Sequence, residues 1–301
     1  MDGLVLINKN RGLTSHEIVK RVKNILELKK AGHFGTLDPM AEGLLLVGMG
    51  NATKLFDFFI KRKKVYSGIM RFGYSTTTYD SEGDMVGEEK DVDLYKSDLE
   101  TIIQGFIGKI DQIPPKYSAK KFKGKPLYKY ARNDIDVKIE SRKVEIFSLK
   151  YKIIDKKNLW FKAVTSSGTY IRSLAFDIGE RVGSGAFLKE LQREKIGEFD
   201  VDNAVTLDEL EIVKREKNPT KSIIPIESLL PEFPRITVGL NGKTRVINGA
   251  PISSDDILEV SSGSSSENYR IFDDDGNFLA IAKKDGILME FKPFLVFNKR
   301  S

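Results

Sequence analysis

The segment Gly32-His33-Phe34-Gly35-Thr36-Leu37-Asp38-Pro39-Met40-Ala41-Glu42-Gly43 places three glycines, one proline, one histidine and one aspartate within twelve residues. That composition describes a tightly shaped loop leading into a buried element, and loops of this kind present side chains to ligands. From the residues alone Asp38 has two readings. An aspartate before a proline is more often a turn or capping residue than a carboxylate that such a loop offers to a substrate. A glycosidase would need two carboxylates flanking a sugar. Asp38 and Glu42 stand four apart, but Pro39 and Gly43 mark Glu42 as structural. No Gly-x-Gly-x-x-Gly run, Walker loop or Ser-His-Asp arrangement is present, so nucleotide cofactors and serine hydrolysis lack support. With no cysteine and only 2 histidines, a disulfide and a Cys/His zinc site are excluded. No metal and no cofactor are expected.

A second concentration of function-bearing types spans residues 116 to 132, with six lysines, one arginine, no acid, and Tyr117, Phe122, Tyr128 and Tyr130 between them. Cations interleaved with aromatics suit a nucleic-acid surface, and an ordinary solvated basic face has the same composition. The whole chain carries 49 Lys+Arg against 43 Asp+Glu, a net +6, which fits a polyanionic partner without requiring one. Met1-Asp2-Gly3 places an acid where a secretion signal is basic, and Leu4 to Ile7 is too short to span a membrane. The expected home is the cytoplasm.

These residues need a scaffold. Leu4 to Ile7 reads as a strand, followed by a turn at Asn10-Arg11-Gly12 and a helix capped by Thr14 or Ser15, with Ile18, Val19, Val22, Ile25 and Leu26 on one face. Thr53 to Ile60 reads as helical. Val65 to Phe72, Lys143 to Ile154 and Leu159 to Thr165 read as strands, and a turn at Ser167-Gly168 leads into a helix through Leu174, Ala175 and Ile178. Leu191, within Phe187-Leu188-Lys189-Glu190-Leu191, has the spacing of a helical core position. The absence of regular β-α-β repetition argues for α+β with a central mixed β-sheet. Four prolines, Pro219, Pro225, Pro231 and Pro234, mark a linker. Domains are therefore expected at 1–229 and 230–301, the second all-β: short strands at Arg235 to Val238, Arg245 to Ile247 and Ile257 to Val260, hairpins at Asp275-Gly276 and Asp285-Gly286, and a loop in the Ser-rich 261–266.

The Gly32–Gly43 segment resembles the catalytic motif of the TruB family, the tRNA pseudouridine-55 synthases, at every fixed position of Gly-His-x-Gly-x-Leu-Asp-Pro-x-Ala-x-Gly. Leu6-Ile7-Asn8-Lys9-Asn10-Arg11-Gly12-Leu13-Thr14-Ser15 is similar to the family's opening motif, with Asn10 where proline is usual. Gln112 to Ala119 with Lys121 and Gly124, and Gly168-Thr169-Tyr170-Ile171-Arg172-Ser173-Leu174, resemble two further blocks. The tail, 230–301, looks like a PUA domain, a small RNA-binding module. Four ordered blocks leave little room for coincidence.

The resemblance implies a reaction that detaches uracil at N1, turns it and rejoins it through C5, on a base flipped out of folded RNA. It implies that Asp38 is the essential carboxylate, by covalent attack or by abstraction of a sugar proton, and that Arg172 pairs with it. Tyr66 would stack on the uracil, which without the family reads as a core-facing strand tyrosine. His33 would wedge into the T loop, and Lys9, Tyr170 and Leu191 would line the site. Lys121 and Lys123, in the basic flap, would meet phosphates. The expected partner is the T stem-loop of tRNA, with no protein partner, no membrane and a monomeric enzyme. A noncatalytic tRNA-binding protein or chaperone could share the basic aromatic surface, but would not require Asp38, Tyr66 and Arg172 together. An rRNA-modifying relative working on a small nucleoprotein scaffold is the other alternative, and the short basic ends favour the stand-alone enzyme.

Overall fold

The protein is described from a computed structural model covering all residues except 119–120, 123, 128–129, 131–132, 134, 136, 217–221, 262–265, 286–289 and 298–301. Lys123, Pro219, most of the Ser-rich segment and the Asp285-Gly286 turn therefore lie outside the described residues.

Strands Gly3–Lys9, Glu42–Met49, Ala186–Ile196, Lys64–Phe72, Asn158–Thr165, Arg142–Ile153 and Gly108–Gln112 run side by side in that order, with Ile223–Pro225 added beyond Gly3–Lys9. Together with Ala31–His33 and Phe199–Asp200 they form one sheet of ten strands. Its neighbours are antiparallel except at one place, where Gln192 and Arg193 run parallel to Glu42 and Gly43. The sheet is thus mixed, and its parallel junction lies at the end of the Gly32–Gly43 segment. Gly43 has φ 101° there, and a Cβ on it would stand 2.4 Å from the Arg193 carbonyl oxygen. Only glycine lets the two strands approach so closely.

One face of the sheet is covered by helices Ser15–Ile25 and Ile171–Val182. The first begins with a capping box in which the Thr14 hydroxyl accepts the Glu17 N–H while Glu17 reaches back, satisfying donors that a helix start leaves free. Ile18, Val19 and Val22 then face inward. The second buries Ile171, Leu174, Ala175 and Ile178 and ends at Gly183 in the left-handed region, the usual helix stop. The core under this face includes Leu37, Met40, Tyr66, Ile171 and Leu191.

Leu191 lies in a strand, Ala186–Ile196, where its spacing suggested a helix. Register shifts at Leu188/Glu190 and Arg193/Lys195 against Lys64–Phe72 break the period-two alternation by which a strand is recognised.

The C-terminal residues form a separate five-stranded sheet, ordered Ile257–Val260, Arg235–Val238, Asn268–Asp273, Phe278–Lys284 and Phe291–Val296. It is not all-β. Residues 245–247, expected as a strand, close the helix Leu240–Ile247. Thr244, Val246 and Ile247 are β-branched and favour strands locally, but Val246 is buried and the helix packs tightly enough that a Cβ on Gly242 would stand 2.8 Å from the Asp256 carbonyl oxygen. Tertiary packing overrides the local preference. The two sheets share an apolar cluster that joins Phe34, Leu44, Leu55 and Phe59 to Phe272, Phe278, Ile281 and Phe297.

Candidate active site

The loop carrying Asp38 is held by its backbone, almost residue by residue. Arg193, buried on its strand, donates from Nε to Leu44 O at 2.8 Å, from Nη1 to Thr36 O at 3.1 Å and from Nη2 to Gly35 O at 3.1 Å. Ser15, first residue of its helix, accepts the Leu37 N–H at 2.8 Å and donates to Leu37 O at 3.0 Å. The Gly12 N–H donates to Pro39 O at 2.8 Å, and Arg11 Nε donates to Met40 O at 2.8 Å. Leu37, Met40 and Ala41 are sunk in the core. Asp38 sits between these anchors with its side chain 31% exposed, so the loop presents one carboxylate and fixes its neighbours.

Lys9 completes this scaffold. It has no exposed surface, and Nζ donates to Leu13 O at 2.9 Å, Asn10 O at 3.0 Å and Pro39 O at 3.3 Å. Burial pushes the ammonium down to about 8, against the attraction of Asp38. The residue expected to touch RNA is in this structure committed to the loop. Asn10, where the family has proline, serves through a carbonyl that proline would also supply.

Arg172 delivers the charge. Its side chain is 6% exposed, and each of its nitrogens is engaged. Nη2 donates to Asp38 Oδ1 at 3.1 Å and to Tyr117 O at 3.0 Å. Nε lies 2.9 Å from Asp38 Oδ2, an ion contact without the alignment of a hydrogen bond. Nη1 donates to Thr78 O at 3.1 Å and pairs with Asp80 Oδ2 at 3.1 Å. A planar guanidinium with donors in fixed directions suits this double task. Gln112, fully buried, fastens the start of the Arg172 helix: it donates from Nε2 to Tyr170 O at 3.0 Å and accepts the Tyr170 N–H at 2.8 Å. Ser173 adds a hydroxyl donated to Ile113 O at 2.7 Å.

Asp80, like Arg193, is a site residue that the sequence does not mark. It is 2% exposed, its Oδ1 accepts the Thr78 hydroxyl and the Glu82 N–H, and Oδ2 faces Arg172. Nothing in Thr76-Thr77-Thr78-Tyr79-Asp80-Ser81 distinguishes it from a turn former. The only available signal was its place in a polar run before Gly83. Glu82, on the exposed side of the same turn, has its carboxyl raised by partial burial and by the Asp80 and Asp38 carboxylates.

The remaining expected residues surround this ion pair. Tyr66 is buried at 8% exposure, paired across strands with Ala163 and Arg193 and packed in the same cluster as Leu37 and Leu191. Tyr170 is half-buried at the helix cap. His33 is half-buried in the short strand Ala31–His33, its Nδ1 has no hydrogen-bond partner, and burial followed by the Arg193 charge pulls its imidazole below the ordinary value. Lys121 belongs to the Lys121–Phe122 strand, paired with Lys125–Pro126. A groove of about 270 Å³ lined by Arg11, Met40, Gly68, Trp160 and Leu191 adjoins the loop. A larger cavity of about 500 Å³ is lined by residues that include Phe106, Ile113, Asp177 and Arg181, and by none of the Asp38 loop.

Comparison with known proteins places the chain in a family. Residues 23–171 match the TruB family pseudouridylate synthase N-terminal domain, and 172–231 match the tRNA pseudouridylate synthase B C-terminal domain. A tRNA pseudouridine synthase B from Solibacter usitatus is 40% identical over 83% of this chain and 85% of its own length. One from Clostridium perfringens is 39% identical over 95% and 96% respectively. Among solved structures, the archaeal box H/ACA Nop10-Cbf5 complex contains a chain 25% identical, with a TM-score of 0.71 over 99% of this chain and 87% of that one. An H/ACA ribonucleoprotein bound to a substrate RNA shares the fold at 24% identity and TM-score 0.72, over 99% and 86%. The chain belongs to the TruB family of pseudouridylate synthases, enzymes of the isomerase class.

Proposed function

We propose that this protein converts uridine 55 in the T arm of tRNA to pseudouridine, with Asp38 as the essential carboxylate. The observation that carries the reading is the pairing of Asp38, the presented side chain of a backbone-anchored loop, with buried Arg172 at 2.9 and 3.1 Å. An aspartate that only shaped a turn would not need a buried guanidinium fixed by Asp80, Thr78 and Tyr117 behind it. The relatives named tRNA pseudouridine synthase B support tRNA as the substrate.

The target base leaves its stack and meets Asp38 at the sugar. Tyr66 gives the uracil an aromatic face, an interaction of roughly 1–3 kcal/mol per base. Leu191 and Tyr170 bound the pocket, and His33 fills the place the base vacates. Lys9 contributes by holding the loop and by its positive charge beside Asp38. Lys121, Lys123 and their basic neighbours contact phosphates and set the register of the T arm. Residues 1–229 are the catalytic unit and 230–301 a PUA module that grips RNA. The enzyme works as a cytoplasmic monomer without a cofactor or protein scaffold.

The test is to incubate purified protein with an unmodified tRNA transcript and map pseudouridine by carbodiimide treatment and primer extension. A single T-arm stop one nucleotide 3′ of position 55, which reports pseudouridine at 55, is expected. Modification of rRNA fragments alone, or tight tRNA binding without product, would overturn the reading in favour of a scaffold-dependent synthase or a chaperone.

A further inference from the structure

Two of the four groups that hold Arg172, the Thr78 carbonyl and the Asp80 carboxylate, stand on either side of Tyr79. Tyr79 has φ 63°, the left-handed region that bulky residues rarely enter and that persists only where surrounding contacts enforce it. Its ring stacks on Phe176 at 4.1 Å between centroids and 20° between planes. Phe176 follows Arg172 by four residues in the helix Ile171–Val182, so the two side chains share a helix face. The turn is also tied to the central sheet. The Leu188 N–H donates to Tyr79 O at 3.0 Å, and the Ser81 N–H donates to Leu188 O at 3.1 Å.

We propose that Tyr79 is a positioning residue for the reaction: its ring, clamped on Phe176, fixes the left-handed turn that aims Thr78 and Asp80 at Arg172 and thereby holds Arg172 against Asp38. The inference rests on the reading of Asp38 given above. Rotating Tyr79 out of its left-handed conformation would swing residues 78 and 80 in opposite senses, so Arg172 would lose the partners of Nη1 while Asp38 kept its backbone anchors. The stack ties the turn to the same helix that carries Arg172, so the turn and the arginine move together. The phenol group itself is dispensable in this role. Burial, followed by the Asp177 carboxylate, raises its titration above the ordinary value, and it stays neutral.

Single-turnover release of tritium from tRNA labelled at uracil C5, measured beside the tRNA Kd, tests this. Tyr79→Asn keeps a residue that tolerates the left-handed region and removes the ring. Its rate constant is expected to fall about tenfold or more, with Kd within about twofold of wild type. Tyr79→Phe is expected to restore the rate, Phe176→Leu to reproduce the loss from the helix side, and the double variant to lose no more than either single one. A wild-type rate in Tyr79→Asn, a loss shared by Tyr79→Phe, or a loss confined to Kd would overturn the proposal. If Tyr79→Asn does not fold, Phe176→Leu decides by the same criteria. Asp38→Asn runs alongside: activity there sinks the reading of Asp38 and this inference with it, whereas an inactive Asp38→Asn beside a fully active Tyr79→Asn sinks this inference alone.

Discussion

The two sheets of the molecule handle buried charge differently. In the C-terminal sheet, fully buried Asp273 is neutralised locally: Lys243 pairs with it at 2.8 Å, and Asn277 donates to it from its backbone and side-chain amides. In the large sheet, buried Lys9, Lys64 and Arg193 donate to backbone carbonyls, and burial leaves the lysine ammoniums at about 8. Arg172, on the helix Ile171–Val182 packed against this sheet, instead bridges two carboxylates, one of them Asp38. A self-neutralised pair holds a fold. Cations satisfied by carbonyls keep their field, which in a low-dielectric interior acts on the carboxylate presented nearby and on an approaching polyanion.

The largest expected effect comes from removing the anchor of the large sheet. Arg193→Met leaves two buried carbonyls, Leu44 O and Gly35 O, and the part-buried Thr36 O without this donor, each buried one worth about 1–3 kcal/mol, and should cost about 4 kcal/mol of stability, read as a lowered denaturation midpoint. Arg172→Met should follow at about 3 kcal/mol of transition-state stabilisation, roughly a hundredfold in single-turnover rate, with tRNA still bound; a wild-type rate would break the link between Arg172 and Asp38. In the C-terminal sheet, Lys243→Met should cost about 2 kcal/mol of stability by unpairing buried Asp273 and leave the rate unchanged, and a rate effect there would erase the contrast. The smallest effect is a gain. Burial raises the Asp177 carboxyl from 3.8 to about 6, so between these values the folded state binds the proton more tightly and stability falls as pH rises. Asp177→Asn should therefore stabilise by about 1 kcal/mol above pH 6, after discounting for its partial exposure, and by nothing near pH 3.8. Melting at pH 4 and pH 8 checks the sign.

What was legible in the sequence follows the same division. Asp38, Arg172 and the strand-helix opening were readable because fixed types stand at fixed spacings, and the pairing of Asp38 with Arg172 agrees with the motif. Asp80 and Arg193 were not, and Gln112 stood in a motif block without a readable role. Their roles depend on the partners that chain crossing brings, and an aspartate in a polar turn or an arginine within the polar run Gln192-Arg193-Glu194-Lys195 carries no local mark of that. The Ala186–Ile196 strand was misread because its bulges erase the alternation, and Leu240–Ile247 because three β-branched residues hid a helix fixed by packing. Lys9 lies against the Asp38 loop, and sequence could not show that its ammonium is spent on three carbonyls.

The most direct measurement compares Asp38→Asn with wild type in release of C5 tritium from a tRNA transcript, with binding measured on the same preparations. The account predicts undetectable release from a variant that folds and binds tRNA like wild type. Release at even a hundredth of the wild-type rate, roughly 2.7 kcal/mol of lost stabilisation, would contradict an essential role for the carboxylate that the loop, Lys9, Arg193 and Arg172 hold in place.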